Sequence, residues 1–262
     1  MIAPSVMNLT ALPAFTDNYI WMIDDGARAI VVDPGEPEPV AEALEARRLE
    51  LAGILMTHHH ADHVGGVDAL RSRLHGPVFG PAHERVPQPS IGREEGHTAE
   101  ALGMLFEVLD IPAHTAGHIA YFSRSGAGEP IVFCGDTLFS AGCGKLFEGT
   151  AQQMYSSLNK LGELPDSTRV CCGHEYTLSN LRFARAVEPG NDEIARHAER
   201  CEALRAAGKP TLPSTIGLER RINPFMRCGE PAVIAAARAH GAASDNGSDV
   251  LAALRTWKNE FR

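Results

Sequence analysis

The chain has 262 residues, of which 44% are hydrophobic and 22% charged, and this is enough apolar material for a sizeable core in one or two domains. Its 24 basic and 33 acidic residues give a net charge of −9, which argues against a protein that binds the phosphate backbone of nucleic acids. No apolar run approaches the roughly 20 residues of a membrane span, and the N-terminus lacks the basic start of a signal peptide, so we expect no membrane partner.

The first third of the chain reads as strands and helices in alternation. Apolar runs on both sides of Asp24-Asp25-Gly26 predict a hairpin, and Pro37 or Pro39 is a typical helix start. The predicted elements are strands over 19–23, 29–32 and 51–56, and helices from 37 or 39 to 48 and over 64–74.

The middle of the chain continues this alternation, and its last third is helical. After Tyr176 strand-like runs no longer occur, and helical segments follow one another. We therefore predict an α/β fold with mixed sheets and outer helices over 1–176, and a helical domain over 177–262. The predicted strands here are 104–109, 120–123, 131–134 and 170–172, and the predicted helices are 151–161, 179–187, 192–207, 232–240 and 249–261.

The six cysteines include no CxxC pair. A chain of this length has no need of a disulfide framework, so we predict free thiols in a reducing cytoplasm. Cys171 and Cys172 are adjacent in an apolar run, which favours ordinary core packing for both.

The strongest chemical signal is a group of ligand-type residues directly after the strand predicted at 51–56. His58 and His60 are two apart in extended chain, so their side chains point to the same side and can hold one ion. Asp62 and His63 follow at the turn into the next helix and can reach a second ion. These side chains would be costly to bury without a metal, so we predict a metal site here.

Three more ligand-type residues follow predicted strands, namely His114, Asp136 and His174. One histidine at the end of a strand is as often structural as functional. The coincidence of three such positions favours a common site, because side chains from the ends of different strands can converge there.

In this order the seven residues form the pattern of the metallo-β-lactamase superfamily, and the chain resembles its glyoxalase II (hydroxyacylglutathione hydrolase) family. The resemblance rests on THHHADHVGG, AGCGKLFEGT and CGHEYTLSN, and on TLPSTIGLERRINPFMR and LRTWKNEFR in the tail. It implies a four-layer αββα metallo-β-lactamase fold with a C-terminal helical domain that binds glutathione. His118 has no ligand role in the pattern, and we expect a structural hydrogen bond from it.

The resemblance also implies two divalent metal ions. A ligand set of imidazoles and carboxylates without thiolate admits zinc, iron or manganese, with zinc the default. Two such ions lower the pKa of a shared water and polarise a carbonyl, and Asp62 is the candidate to orient the nucleophile or accept its proton. The implied ligands are His58, His60 and His114 for the first ion, Asp62, His63 and His174 for the second, and Asp136 as the bridge.

Five residues occupy positions that the family uses for glutathione, and four of them match the family's residues. Lys145 in AGCGK would meet a carboxylate, and Tyr176 lies beside the last histidine. Arg255 and Lys258 share a face of the final helix and would bind the glycine carboxylate. Phe147 replaces the aromatic hydroxyl that the family usually has, so a contact of that hydroxyl is lost.

The implied activity is hydrolysis of S-(2-hydroxyacyl)glutathione, chiefly S-D-lactoylglutathione, by a hydroxide that the two metals share, in methylglyoxal detoxification. The expected partner is this small-molecule substrate, and the lack of an apolar surface stripe predicts a monomer. The nearest alternative is another superfamily enzyme, a glutathione-persulfide dioxygenase or a lactonase. The net charge argues against a nucleic-acid-processing relative, and the complete ligand set argues against a non-catalytic metal-binding module.

Overall fold

The computed structural model describes residues 7–125 and 128–261. These residues form two compact units. The division into a metal domain over 1–176 and a helical glutathione-binding domain over 177–262 remains a prediction. Unit 1 contains the described residues up to Asp110, then Ala116–Gly135 and Cys171–His174, whereas unit 2 contains Ile111–Thr115, Asp136–Val170 and the described residues from Glu175 onward.

The first sheet of unit 1 contains the predicted hairpin and the strand that precedes the histidine cluster. Its first three strands pair antiparallel and the later ones parallel. A parallel pair needs a crossover, and a helix supplies it between the third and fourth strands. In sheet order the strands are β1 (Asn8–Ala14), β2 (Asn18–Asp24), β3 (Arg28–Val32), β4 (Glu50–Leu55), β5 (Val78–Pro81) and β6 (Ile91–Arg93).

The second sheet of unit 1 confirms four of the predicted strands. Adjacent strands along the chain pair antiparallel from the seventh to the tenth. The strand that ends at Cys172 borders the tenth, and its last two residues belong to unit 1. The strands are β7 (Thr98–Ala101), β8 (Met104–Asp110), β9 (Ile119–Ser123), β10 (Ile131–Gly135) and, beyond two short strands of unit 2, β13 (Arg169–Cys172).

The two sheets of unit 1 face each other. The indole of Trp21 donates to the carbonyl of Cys172, at 2.9 Å, and the hydroxyl of Tyr121 donates to the carbonyl of Met56, at 3.1 Å. Because β2 is covered on both faces, all seven of its residues are buried, rather than the alternate residues of a strand with one wet face.

Helices cover the other face of the first sheet. The helix predicted at 37–48 is α1 (Glu38–Arg47), and its Val40 and Leu44 join the core of that sheet. The helix predicted over 64–74 is instead divided into α2 (Ala61–Val64), α3 (Val67–Leu70) and a 3-10 turn, Arg71–Arg73. The break lies at Gly65-Gly66, because the amide of Gly66 donates to the carbonyl of Pro34, at 2.9 Å, instead of continuing the helix.

Unit 2 is mainly helical, but strands occur in it as well. Its first strands form a hairpin, and a two-residue strand after Tyr176, which the sequence did not predict, pairs with Arg169 and Val170. The elements are β11 (Leu138–Phe139), β12 (Gly142–Cys143), α4 (Ala151–Gly162), α5 (Thr177–Val187), α6 (Asp192–Ala206), β14 (Ser214–Thr215), α7 (Ile216–Ile222), α8 (Pro231–Ala239) and α9 (Gly247–Glu260).

The core of unit 2 joins its helices through aliphatic and aromatic groups. Leu181 of α5, Ile194 of α6 and Ile222 of α7 belong to one buried cluster. The ring of Phe183 stacks on Phe225 and meets Trp257 of α9 edge to face. Among the helices in the described part of the chain, none is both long and apolar enough to cross a membrane.

Candidate functional site

Three of the predicted metal ligands converge within unit 1. The Nε2 atoms of His63 and His174 lie 3.5 and 3.4 Å from the Oδ2 atom of Asp62. Asp62 and His63 occupy the single turn of α2, and His174 follows β13, so the end of a strand and the start of a helix bring them together. Both imidazoles are buried, whereas Asp62 is 40% exposed.

Carboxylates fix the orientation of both of these histidines. The Nδ1 atom of His63 lies 3.1 Å from an oxygen of Asp33, and the Nδ1 atom of His174 lies 2.8 Å from an oxygen of Asp17. A carboxylate at Nδ1 directs Nε2 toward a metal and makes it a stronger ligand. The amide of Asn18 donates to Oδ2 of Asp62, at 3.0 Å, and orients the third ligand.

His58 and His60 lie side by side in the same unit. The Nε2 atom of His58 is 3.2 Å from the Nδ1 atom of His60. Thr57 joins this pair to Asp33, because its hydroxyl lies 3.1 Å from Nδ1 of His58 and donates to Asp33 at 2.7 Å. Asp33 therefore supports His58 and His63 at once.

His118 makes the structural hydrogen bond expected of it. Its Nδ1 atom lies 3.1 Å from the carbonyl of Ile119, and its ring stacks on that of His58 with 4.5 Å between the centroids. Gly135 makes room for this stack, because a Cβ atom there would lie 2.7 Å from Nε2 of His118. His118 thus limits the ring position of His58.

The donor chemistry of unit 1 fits divalent metal ions. One ligand atom from each of Asp62, His63 and His174 lies within 4.8 Å of the others. Neutral imidazole and carboxylate are the donors that zinc, iron and manganese share, and the carboxylates behind the imidazoles are the usual support of such ligands. The set includes no thiolate and so does not select among these metals.

The remaining two predicted ligands lie in unit 2. The Nε2 atom of His114 is 3.4 Å from the Oδ2 atom of Asp136. The Nδ1 atom of His114 lies 3.0 Å from the carbonyl of Lys145, so the AGCGK loop holds this imidazole as the carboxylates hold the others. The ring of Phe147, 62% exposed, meets the His114 ring edge to face, with 5.2 Å between the centroids.

Two of the predicted glutathione contacts lie on α9. The guanidinium of Arg255 is buried, and its Nη1 donates to the carbonyl of Cys143, at 2.8 Å. Its Nε is also buried and has no hydrogen-bond partner among the described residues. The Nζ of Lys258 donates to the carbonyl and the hydroxyl of Ser179, at 3.2 and 3.1 Å.

Burial and two neighbouring arginines, one on α9 and one on α5, make protonation of Lys258 less favourable. Burial, followed by repulsion from Arg255 and Arg182, lowers the pKa of Lys258 to about 8. The side chain of Lys145 is exposed, and Tyr176 is 37% exposed with its ring 5.2 Å from that of Phe139. Unit 2 therefore contains every residue predicted to contact glutathione.

The sequence reasoning missed the residues that hold the ligands. Asp17 and Asp33 are not ligands in the pattern, yet each contacts the Nδ1 atom of a predicted ligand. Asp33 carried a usable signal, because it follows the apolar strand β3 just as Asp136 follows β10. Asp17 carried none, because its partner His174 is 157 residues away in the sequence.

Two family models match successive parts of the chain. The model described as "Metallo-beta-lactamase superfamily" matches residues 14–174, and the model described as "Hydroxyacylglutathione hydrolase C-terminus" matches residues 175–261. Together they span nearly the whole sequence.

Two similar proteins, each matched over its full length, carry the same name. The chain is 55% identical to the hydroxyacylglutathione hydrolase of Albidiferax ferrireducens over 97% of this chain and 100% of that protein. It is 53% identical to the hydroxyacylglutathione hydrolase of Cupriavidus taiwanensis over 98% of this chain and 100% of that protein.

Solved structures agree on the fold. ETHE1 from Myxococcus xanthus matches with a TM-score of 0.64 at 24% identity, over 98% of this chain and all of that one. TTHA1623 in a di-iron-bound form matches with a TM-score of 0.58 at 27% identity, over 83% of this chain and 99% of that one. The predicted α/β metallo-β-lactamase fold with a helical C-terminal part is confirmed. The chain belongs to the hydroxyacylglutathione hydrolase family of the metallo-β-lactamase superfamily.

Proposed function

We propose that this enzyme hydrolyses the thioester of S-(2-hydroxyacyl)glutathione, chiefly S-D-lactoylglutathione, to D-lactate and glutathione in methylglyoxal detoxification. The observation that carries the proposal is the pair of cations on α9 in a chain that is 55% identical, along its full length, to a hydroxyacylglutathione hydrolase. Glutathione is an anionic tripeptide, and a buried guanidinium with an unpaired Nε–H suits one of its carboxylates.

The proposed resident cofactor is a pair of divalent metal ions, with zinc the default and iron or manganese also compatible. When bound, such ions lower the pKa of a water and polarise the thioester carbonyl. One support is that the donor atoms of Asp62, His63 and His174 cluster in unit 1. Another is that the similar structure of TTHA1623 is a di-iron-bound form. The proposed ligands are His58, His60 and His114 for one ion, Asp62, His63 and His174 for the other, and Asp136 for both.

The chain's own groups then have separate tasks. Asp17 and Asp33 hold imidazoles at Nδ1, and Asn18 holds Asp62 in the orientation to accept a proton from the attacking water. The leaving group is a thiolate, which departs without protonation, so the reaction needs no strong general acid. Asp62 is accordingly the proposed catalytic residue among the ligands.

The proposed substrate contacts lie in unit 2. Arg255 and Lys258 bind the glycine carboxylate, and Lys145 meets a second carboxylate from the exposed loop after β12. Tyr176 and Phe147 border the substrate with exposed rings. Because Phe147 lacks a hydroxyl, its contact is apolar only.

The proposed setting is a monomer in the cytoplasm. All six cysteines are buried and none forms a disulfide among the described residues, which suits a reducing compartment. Size-exclusion chromatography with light scattering measures the oligomeric state directly.

Turnover of purified, metal-analysed protein tests the activity. We expect metal-dependent loss of the thioester of S-D-lactoylglutathione, and little turnover of lactones or of lactoyl thioesters that lack glutathione. Turnover of lactones alone, or none with the metals bound, would contradict the proposal.

Lys258→Ala tests the substrate site. Because a carboxylate contact remote from the reacting carbonyl binds ground and transition states alike, KM should rise by about tenfold with kcat little changed. Lys209→Ala, which removes an exposed lysine of the same unit, is the matched control and should change neither constant. A loss confined to kcat in Lys258→Ala would refute the assigned contact.

A further inference from the structure

A carboxyl group that is not among the predicted metal ligands is fully buried in unit 2. Glu219 lies on α7, with no solvent exposure. Its Oε2 atom accepts from the backbone amide of Ala141, at 2.8 Å, and from the side-chain amide of Asn223, at 3.1 Å, while Oε1 accepts from the hydroxyl of Ser214. Burial raises the pKa of Glu219, and these hydrogen bonds oppose that rise.

The hydrogen bond from the amide of Ala141 to Glu219 holds a backbone conformation that is unfavourable for alanine. Ala141 lies in the turn of the hairpin β11–β12, at a φ of +54°, which is in the left-handed region that glycine favours. For a residue with a side chain this conformation is less favourable than the right-handed one. The amide of Ala141 donates to Glu219 at this turn, and this hydrogen bond helps to hold the conformation.

Two buried amides hold the rest of the hairpin. The side-chain nitrogen of Asn223 donates to the carbonyls of Phe139 and Gly142, at 3.1 and 2.9 Å. The corresponding nitrogen of Asn180 donates to the carbonyl of Ser140, at 3.1 Å. Since Glu219 also accepts from Asn223, one carboxyl orients both the turn and the amide that holds its two flanks.

The hairpin in turn holds the groups proposed to bind glutathione. The carbonyl of Cys143, the last residue of β12, accepts from Arg255 at 2.8 Å. Lys145 lies two residues further along the chain. Between them, the amide of Gly144 donates to the carbonyl of Thr137, at 3.2 Å. A shift of the hairpin therefore moves the carbonyl that orients Arg255 and the loop that carries Lys145.

From this geometry we infer that Glu219 is a positioning residue for glutathione binding, which acts by holding the hairpin β11–β12 in the shape that presets Arg255 and Lys145. The inference rests on the proposed function for the identity of the ligand. Glu219 itself touches no substrate.

A purely stabilising role for Glu219 gives a different expectation. Replacing a buried polar group that serves stability alone lowers the free energy of unfolding without changing KM in the molecules that stay folded. A positioning role changes KM in folded protein, because the cations are no longer held in place before the substrate arrives.

Glu219→Ala and Glu219→Gln test the inference together. Alanine leaves the amide of Ala141 without its acceptor and removes one of the three acceptors of the Asn223 side-chain amide. Glutamine can place its carbonyl oxygen at the position of Oε2 and turn its NH2 toward Ser214, whose hydroxyl can accept. We expect Glu219→Ala to raise KM for S-D-lactoylglutathione by about tenfold with kcat changed less than about threefold, and Glu219→Gln to restore KM to within about twofold.

Glu188→Ala is the matched control. Glu188 is also a buried carboxyl of unit 2, but it pairs with Arg227, at 2.7 and 2.9 Å, and not with the hairpin. The Glu188→Ala variant should unfold at a lower urea concentration than the wild type, as Glu219→Ala does, but its KM should be unchanged. An unchanged KM in folded Glu219→Ala, no rescue by glutamine, or an equal rise of KM in Glu188→Ala would overturn the inference.

Hydrogen exchange separates this inference from the proposed function. Peptides that cover residues 138–145 should exchange faster in Glu219→Ala than in the wild type or in Glu188→Ala, and this measurement needs no substrate. If the wild type fails to hydrolyse the thioester, the proposed function fails. If the hairpin exchanges at the same rate in all three proteins, the positioning role fails.

Discussion

Three of the predicted ligand histidines have a different group in contact with the Nδ1 atom. Asp33 contacts Nδ1 of His63, Asp17 contacts Nδ1 of His174, and the carbonyl of Lys145 contacts Nδ1 of His114. In each case the Nε2 atom lies within 3.5 Å of a predicted carboxylate ligand, Asp62 or Asp136. The sequence predicts these histidines as ligands, and Asp33 follows an apolar strand as Asp136 does, but Asp17 has no such signal because it is 157 residues from His174.

The lowered pKa of Lys258 predicts that substrate binding depends on pH. Burial and the neighbouring arginines lower its pKa to about 8, so its ammonium is present below this pH and is lost above it. The group is charged in about 90% of molecules at pH 7 and about 10% at pH 9. KM for the glutathione thioester should therefore rise between pH 7 and pH 9 toward the value of Lys258→Ala.

Steady-state kinetics of the wild type and Lys258→Arg check this prediction. Arginine stays charged over the whole range, so any rise of KM that the variant retains comes from other groups. A flat KM in the wild type, or the same rise in both proteins, would show that the Lys258 ammonium does not bind the substrate.

Among the elements, several short ones were not predicted, and neither was the seven-residue strand β1. The helix predicted over 64–74 divides at Gly65-Gly66, because the Gly66 amide bonds to Pro34 instead of to the helix. Helix α7 has seven residues and strand β14 has two, and both are too short to show a clear periodic pattern of apolar residues. The long helices α5, α6, α8 and α9 were predicted to within two residues at each end, because their apolar spacing extends over several turns.

The loop after β12 gives a prediction at the scale of an element. A Cβ atom on Gly144 would collide with the carbonyl of Asp136 and lie 3.0 Å from Nδ1 of His114. Gly144→Ala should therefore displace the loop and lower kcat/KM by at least about tenfold, since small displacements of a site reduce rates strongly. Gly190→Ala, where a Cβ atom meets nothing within 4 Å, should leave kcat/KM unchanged. Wild-type kinetics in Gly144→Ala would show that the loop tolerates movement.

The whole molecule combines opposite charges along one chain. Residues 206–262 contain eight basic and five acidic residues, a net charge of +3. Because the whole chain has a net charge of −9, the other residues have a net charge of −12. This division suits an enzyme that holds cations with carboxylates and imidazoles in one part and binds an anionic tripeptide in another.

Metal removal is the corresponding prediction for the whole molecule. Ions that bind only the folded state add to its stability, by about 2.7 kcal/mol at a concentration one hundred times Kd. For a chain of this length chelation should lower Tm by about 10 °C, and zinc should restore it. Calorimetry with and without a chelator measures the change independently of activity. An unaltered Tm after verified removal of the metals would contradict the proposed ligand set.

The sequence by itself determined the kind of chemistry in this protein. The spacing of His58, His60, Asp62 and His63, the ligand-type residues after later strands, and the tail motifs identified the family, because donor spacing and long apolar periods are local properties of a chain. Only the tertiary structure decided which groups hold those residues in place. Glu219 reaches Ala141 across 78 positions and Asp17 reaches His174 across 157, and no local pattern encodes contacts that form only when distant segments pack together.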